Sequence, residues 1–219
     1  MYHTLYNLRT LYTMEKPDPK SRRYEKTRQG IINAAHEIVR TEGIDALSIR
    51  TLAEKVDYSP SALYKYFNNK EEIIEALRVE GWNRMQTIFE SRLDPSLDSP
   101  RKLVKASLAY LELGDQYPEL YQLMFNSSVG APDNIKAIED DPRFKVLTDM
   151  IKEGVKSGEF VLPDDITLLE YRYLAWFIMH GICMLKVSMY RNCLNQFDPL
   201  ARSIVEKFIL MSAHEKSDG

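Results

Sequence analysis

Between Ser59 and Lys70 the chain gathers groups that donate hydrogen bonds or carry positive charge: Ser59, Ser61, Tyr64, Lys65, Tyr66 and Lys70. Hydroxyls and ammonium groups of this kind suit phosphate oxygens and the acceptor-rich edges of base pairs. Pro60 and Ala62 stand among them and add little bulk, so a helix carrying them can approach a surface closely. At about 100° per residue, Ser61 and Lys65 share one helix face, with Pro60, Ala62, Tyr64 and Tyr66 on its flanks. Leu63 and Phe67, four apart, point the other way, into a core. The chemistry on offer is recognition of a polyanion. An amphipathic helical hairpin with a polar outer face has the same pattern, so this face alone leaves both readings open.

Bond-making chemistry finds no comparable cluster. The four histidines, His3, His36, His180 and His214, form neither an HExxH pattern nor a Cys/His set at metal spacing. There is no glycine loop to cradle a phosphate and no Gly-x-Ser-x-Gly elbow. Asp140-Asp141 and Asp164-Asp165 sit at helix starts, where acids complement the helix dipole and need no catalytic role. No enzyme, metal or cofactor is expected.

The polar face must be held by its neighbours in the chain. Leu52, Ala53 and Val56 mark one face of a helix over 48–56, and Asp57-Tyr58 breaks it. Ser59 is placed to cap a second helix with Pro60 at its first position, running to about Phe67. Asn69 can cap a third, with Glu72 reaching back to complete a capping box. Two short helices joined by a tight turn are the pattern that sets one helix in the major groove of DNA. Ahead of them, Ile31, Ala35 and Ile38, flanked by Ile32 and Val39, stripe a helix over 21–42 that Gly43 ends. His36 falls on its boundary. A long helix over 69–93, with Ile74, Leu77, Gly81, Met85 and Ile88 down one side, runs on to Asp94-Pro95.

From about Thr27 to Met85 the sequence resembles the N-terminal domain of the tetracycline-repressor (TetR) family of transcriptional regulators. The resemblance is carried by Ile31, Ala34, Ala35, Glu42-Gly43, Ala46-Leu47-Ser48-Ile49-Arg50, Leu52-Ala53, Val56, Ser59, Leu63-Tyr64, Phe67 and Asn69-Lys70-Glu71. Asp57 departs from it, standing where the family usually has glycine. Aspartate tolerates left-handed backbone better than most residues, so the turn is expected to survive. The resemblance implies that Ser48 and Arg50 approach DNA from the first helix of the pair. It sets Ser59, Pro60, Ser61, Ala62 and Lys65 against bases or backbone, and Tyr64, Tyr66 and Lys70 against phosphates.

Net charge is −3, but it is unevenly spread: residues 16–70 carry +4 and the remainder −7. Lys20, Arg22, Arg23, Lys26 and Arg28 form a basic arm just ahead of the helix pair. Beside a groove-reading helix, Arg22 and Arg23 become expected phosphate or minor-groove contacts. No apolar run is long enough to cross a bilayer, and residues 1–16 lack a signal-peptide core. Met14 is a candidate start. Cys183 and Cys193, on one straight helix, would stand roughly 15 Å apart, too far to bridge. A reducing cytoplasm is the expected location, with no membrane partner.

Beyond Pro95, Ser99-Pro100, Asp141-Pro142 and Asp198-Pro199 each pair a capping residue with proline. Helices are expected at about 100–116, 118–126, 142–157, 164–191 and 199–214, with a loop over 127–140. The expected architecture is all-α: a flexible segment 1–20, a three-helix helix-turn-helix domain 21–68, and a helical body 69–219. In that body, residues 117–125 and Trp176 to Gly181 resemble the TetR subset named for its Trp-His-Gly motif. Tyr110, Tyr121, Phe125, Tyr173, Trp176, Phe177, His180 and Met184 are candidates to line an effector pocket. A plain aromatic core, with Gly181 allowing close helix packing, fits the same residues.

Ile204, Val205, Phe208, Ile209 and Met211 offer more apolar surface than one helix face needs. By resemblance the last two helices form a four-helix interface in a two-fold homodimer. The expected function is a DNA-binding regulator, a repressor that meets a palindromic double-stranded DNA operator and is released by a small-molecule effector. The alternative is a DNA-binding protein with no effector, architectural or controlled by a protein partner.

Overall fold

The computed structural model describes residues 18–126 and 134–213, except for the side chains at 142 and 143. The candidate start at Met14, His3, His214 and most of the segment expected to be flexible lie outside the described residues, as does 127–133. The fold is all-α, a helix-turn-helix domain and a helical body. Among the described residues, a lone antiparallel bridge between Phe160 and Ala213 is the sole strand-like pairing.

Helix α1 (Pro19–Glu42) begins two residues before the expected start. Asp18 caps it by accepting from the Ser21 N–H at 2.8 Å, and Pro19 takes the first helical position. Its buried residues are Ile31, Ile32, Ala35, Ile38 and Val39, the predicted stripe. Gly43 ends it at φ 87°, ψ 167°, backbone that essentially only glycine adopts. A 3-10 turn (Ile44–Ala46) leads to α2 (Ile49–Lys55), then α3 (Pro60–Leu63) and α4 (Lys70–Arg92). The buried side of α4 is Ile73, Ala76, Leu77 and Ile88, while Ile74 and Met85 of the expected stripe are half-buried. Leu77, Gly81 and Ile88 of the stripe read in sequence are buried, and Ile73 takes the place expected for Ile74.

Two compact units account for the chain. Among the described residues the first holds 18–82 and 119–126, so it includes most of α6 (Pro118–Asn126) and the first half of α4. It is larger than the domain expected over 21–68. Within it, Trp82 meets Phe125 edge-on at 5.5 Å, and Tyr121 is fully buried.

The second unit takes the rest of α4 and α5 (Ser99–Gln116), α7 (Ile135–Glu139), α8 (Pro142–Ser157), α9 (Leu168–Val187) and α10 (Leu194–Leu210). α5, α8, α9 and α10 pack on one another around Leu103, Leu111, Leu113, Ile151 and Val205. Three expectations fail here. Asp98, not Ser99, caps α5, accepting from the Arg101 N–H at 2.9 Å. Part of the loop expected over 127–140 is α7, capped by Asn134. The Asp198-Pro199 pair starts nothing: α10 begins at Leu194 and carries Pro199 inside it. Near a helix start a proline forfeits a single backbone bond, and the Asp198 carboxylate is engaged with Lys186 instead.

α9 is shorter than the expected 164–191. Asp165 turns the chain at φ 66°, and Thr167 with Glu170 makes a reciprocal capping box at the true start. Cys183 on α9 and Cys193 at the cap of α10 are not joined in a disulfide. No helix among the described residues is long and apolar enough to cross a membrane.

Candidate nucleic-acid interface

The helix-turn-helix is fixed by caps at both of its starts. Ser48 accepts from Thr51 N–H at 3.1 Å while the Thr51 hydroxyl accepts from Ser48 N–H at 3.0 Å, a capping box with threonine in the usual glutamate position. At the far end of α2, Tyr58 N–H reaches Ala53 O (2.9 Å) and Asp57 N–H reaches Glu54 O (3.3 Å). These are the two bonds of a Schellman C-cap, with Asp57 in the left-handed position at φ 58°. The turn keeps its geometry with aspartate in the glycine place. Ser59 caps α3 through the Ala62 N–H at 3.2 Å.

α3 is one α-turn, not the two expected to Phe67. Past Leu63 the bonds tighten to three-residue spacing, Lys65 N–H to Ala62 O (3.3 Å) and Tyr66 N–H to Leu63 O (2.9 Å). Phe67 N–H still returns to Leu63 O at 3.1 Å, and both side chains are buried, Leu63 at 0% exposed and Phe67 at 1%. Each such side chain contributes about 1.5–3 kcal/mol by leaving water. α1 holds the outer end. The Tyr24 hydroxyl donates to Lys65 O at 3.2 Å, its ring stacks on Tyr66 at 4.9 Å, and Arg28 lies over Phe67 at 5.0 Å. Tyr24 and Thr51 were missed in the sequence. A lone tyrosine inside a basic arm was the available signal for the first.

The predicted contact residues divide by what else they do. Pro60, Ser61, Tyr64 and Lys65 are exposed, Tyr64 by 53%, while Ala62 and Tyr66 are half-buried. Arg22 and Arg23 stand exposed on the first turns of α1 with no ion pair among the described residues. The hydroxyls of Ser59 and Ser61 share a hydrogen bond at 2.9 Å. Arg50 reaches Glu54 at 3.1 Å, but with 84% and 66% of the two side chains exposed that pair is weak and readily exchanged. Lys70 is different. Its ammonium donates to Ile44 O at 2.9 Å and closes the 3-10 turn. The third helix is capped by Asn69, which accepts from Glu72 N–H at 2.8 Å. Glu72 reaches back to Asn68 rather than Asn69, accepting from its backbone and its side-chain amide at 2.9 Å each. Those bonds hold the Glu72 carboxyl below its usual value.

Of the residues expected in a pocket, Tyr110, Tyr173, Trp176, Phe177, His180 and Met184 belong to the second unit, and Tyr121 and Phe125 to the first. Trp176 stacks on His180 at 5.3 Å, and Tyr110 Oη lies 3.3 Å from His180 Nδ1. Burial pushes the His180 pKa down, which keeps the ring neutral at pH 7. Phe144 meets Trp176 edge-on at 5.6 Å. Phe177 is 56% exposed, and Gly181 is exposed with no atom within 4 Å of an added Cβ. Close packing at Gly181 within the protomer is therefore excluded.

Two buried cations on α9 escaped the sequence reading. Lys186 and Arg172 are each 3% exposed. They are the sole lysine and arginine of a 20-residue apolar helix, and that isolation was the signal. Lys186 lies 2.5 Å from Asp115 and 2.8 Å from Asp198. Burial raises the Asp115 pKa although the lysine pulls it down.

Residues 31–77 match the family model for bacterial regulatory proteins of the tetR family. The matched residues lie within the first unit and run from α1 into α4. The transcriptional repressor KstR2 of Mycolicibacterium smegmatis is 26% identical over 171 residues, 71% of this chain and 75% of its own. The class D tetracycline repressor protein of Escherichia coli is 40% identical over 53 residues, 24% of each chain. A crystal structure of a tetR-family regulatory protein from Rhodococcus RHA1 covers 86% of this chain and 97% of its own, with a TM-score of 0.64 at 22% identity, a likeness of fold. Matches to the two repressors thus span a quarter to three quarters of their lengths. The tetR-family segment contains all of α2 and α3, the two elements whose outer faces are least committed to internal bonds. KstR2 is named as a transcriptional repressor and the Rhodococcus protein as a regulatory protein.

Proposed function

We propose that the protein is a homodimeric repressor that reads a two-fold DNA operator and lets go of it when a small molecule enters the helical body. The observation carrying this reading is the outer face of α3: Ser61, Tyr64 and Lys65 stand exposed on a segment whose inner face is locked by Leu63 and Phe67. A rigid, polar, cationic face of one helical turn suits base edges, with Arg22 and Arg23 supplying phosphate contacts.

An apolar stripe on the body supports the dimer. Leu174, Phe177, Gly181 and Leu185 recur at three- and four-residue spacing on α9, all exposed, and Leu200 and Ile204 are exposed on α10. The apolar residues of α10 thereby split into two faces. Val205 and Ile209 close the protomer's core, whereas Ile204 and Met211 face solvent. Gly181 in mid-stripe admits the backbone of a partner helix. A two-fold dimer presents two α3 segments, as a two-fold operator with half-sites about 34–36 Å apart requires. Repression follows the tetracycline repressor protein and KstR2 by analogy, and effector release is our reading of the aromatic cluster in the body. Tyr110, Tyr173, Trp176 and His180 are the effector-lining residues we retain. α4 is one unbroken helix from Lys70 to Arg92, contributing to both units, and is the element through which a change in the body reaches α3. Release needs an effector preference of about 1–3 kcal/mol for the non-binding state.

Selection of genomic fragments bound by the full chain tests all of this. Recovery of inverted repeats with a fixed spacing supports the operator and the dimer. A featureless set of bound fragments sinks both. Repeating the selection with small-molecule pools should release the operator, and a regulator controlled by a protein partner would keep it throughout.

A further inference from the structure

We propose that Arg172 is the anchor for a carboxylate, which makes the effector an amphipathic acid whose apolar body lies against the rings of α9. The inference rests on the effector reading above for its regulatory meaning, and on the second unit alone for its chemistry. Arg172 is 3% exposed, its Nη2 is buried with no hydrogen-bond partner, and no ion pair reaches it among the described residues. Glu170, two residues earlier, spends its Oε2 on the backbone and hydroxyl of Thr167, at 2.7 and 2.6 Å.

The guanidinium has a ring for company instead. Its Cζ sits 4.4 Å from the centre of Tyr173, whose own hydroxyl is buried without a partner. A ring face offsets only part of the cost of taking a guanidinium out of water. Lys186 supplies the internal control. On the same helix, with the same 3% exposure, it has Asp115 at 2.5 Å and Asp198 at 2.8 Å.

A fold that provides two carboxylates for one buried cation and none for the other leaves the Arg172 fork open to a third. A planar guanidinium takes a carboxylate through two parallel bonds, and the Tyr173 hydroxyl adds a donor beside it. The apolar remainder of such an acid finds a run of rings. Tyr173 adjoins Trp176 at 6.4 Å, and Trp176 adjoins Phe144 at 5.6 Å. Tyr173 and Trp176 keep part of their surface open, so the run is reachable from solvent.

The test is thermal unfolding of the full chain with acetate, hexanoate, decanoate and 4-phenylbutyrate, each beside its neutral primary amide. Decanoate or phenylbutyrate should raise the wild-type Tm by roughly 5–10 °C at about a hundred times Kd, and the amides by far less. Arg172→Met should not respond to the acids, and Arg172→Lys, which keeps the charge but loses the fork, should respond weakly. Without ligand, Arg172→Met should melt above the wild type, because an uncompensated buried cation has been removed. A lower Tm for ligand-free Arg172→Met would make the arginine structural and overturn the inference. So would equal shifts for acid and amide, a shift that survives in Arg172→Met, or no shift by any acid of the series. A response to acetate as large as to decanoate removes the amphipathic body from the proposal. Operator affinity is followed in parallel by fluorescence anisotropy. A Tm shift that leaves operator affinity unchanged sinks the regulatory half while the acid site stands, and release by a compound that does not depend on Arg172 does the reverse.

Discussion

The two units treat positive charge in opposite ways. In the first, Arg22, Arg23 and Lys65 project into solvent, and Arg50 holds only an exposed pair with Glu54. In the second, α9 takes Arg172 and Lys186 to 3% exposure inside a helical body. Exposed charge costs the fold almost nothing and remains available to phosphates, with its strength set by salt. Buried charge is expensive and persists only with a partner, so its environment shows what that partner must be. The same residue types therefore support the proposed DNA surface in one unit, and the proposed lock and anchor in the other.

The comparison predicts a descending series of effects. Lys186→Met removes the buried cation shared by Asp115 and Asp198, whose side chains are 27% and 32% exposed, and should cost about 2–4 kcal/mol of stability by urea unfolding. The pH dependence has a definite sign. Burial holds the Asp115 carboxyl above its usual 3.8, so the folded chain binds that proton more tightly than the unfolded chain does. Stability conferred by that proton falls as pH rises through the window above 3.8, and acidification into it should recover part of the loss in Lys186→Met. A loss below 1 kcal/mol would mean that this lysine is not a lock. Next, Lys65→Ala should cost about 1–3 kcal/mol on the operator and little on random DNA, if the exposed ammonium reads a base edge. Equal losses on both would reduce it to a backbone contact.

Lys70→Ala sits between the two classes of charge. Its ammonium is committed to Ile44 O, so the expected result is about 1 kcal/mol of lost stability with an unchanged salt slope. A slope shallower by about one ion would return Lys70 to the phosphate contacts implied by family resemblance. Smallest of all, Arg50→Ala should change stability by less than about 0.5 kcal/mol, because its pair with Glu54 is exposed at both ends. A larger loss would mean that exposed charge in this unit is not free for DNA.

Local rules made much of this legible in advance. The stripe of α1, the Ser59-Pro60 start and the inward pair Leu63 and Phe67 follow from helical spacing and cap chemistry within a few residues, and the structure keeps them all. Elements whose ends are set from a distance were misread. α10 starts at Leu194 and not at Asp198-Pro199, because the Asp198 carboxylate is drawn to a lysine on another helix. α3 stops at Leu63, where three-residue bonds at Lys65 and Tyr66 interrupt the helix that spacing predicts to Phe67. The eight residues expected to share a pocket fall into two units, since aromatic content shows that a side chain will be buried but not against what.

By itself the sequence determined the helical class, the helix-turn-helix and the uneven charge that favours DNA at one end. All of these depend on neighbours within about four positions or on summed composition. Only the tertiary structure decided which polar groups are already spoken for. It gave Lys70 a carbonyl, Lys186 two carboxylates and Arg172 none. The reason is physical. The worth of a charge depends on its solvent exposure and on its partners, and both are set by elements that meet only after the chain has folded.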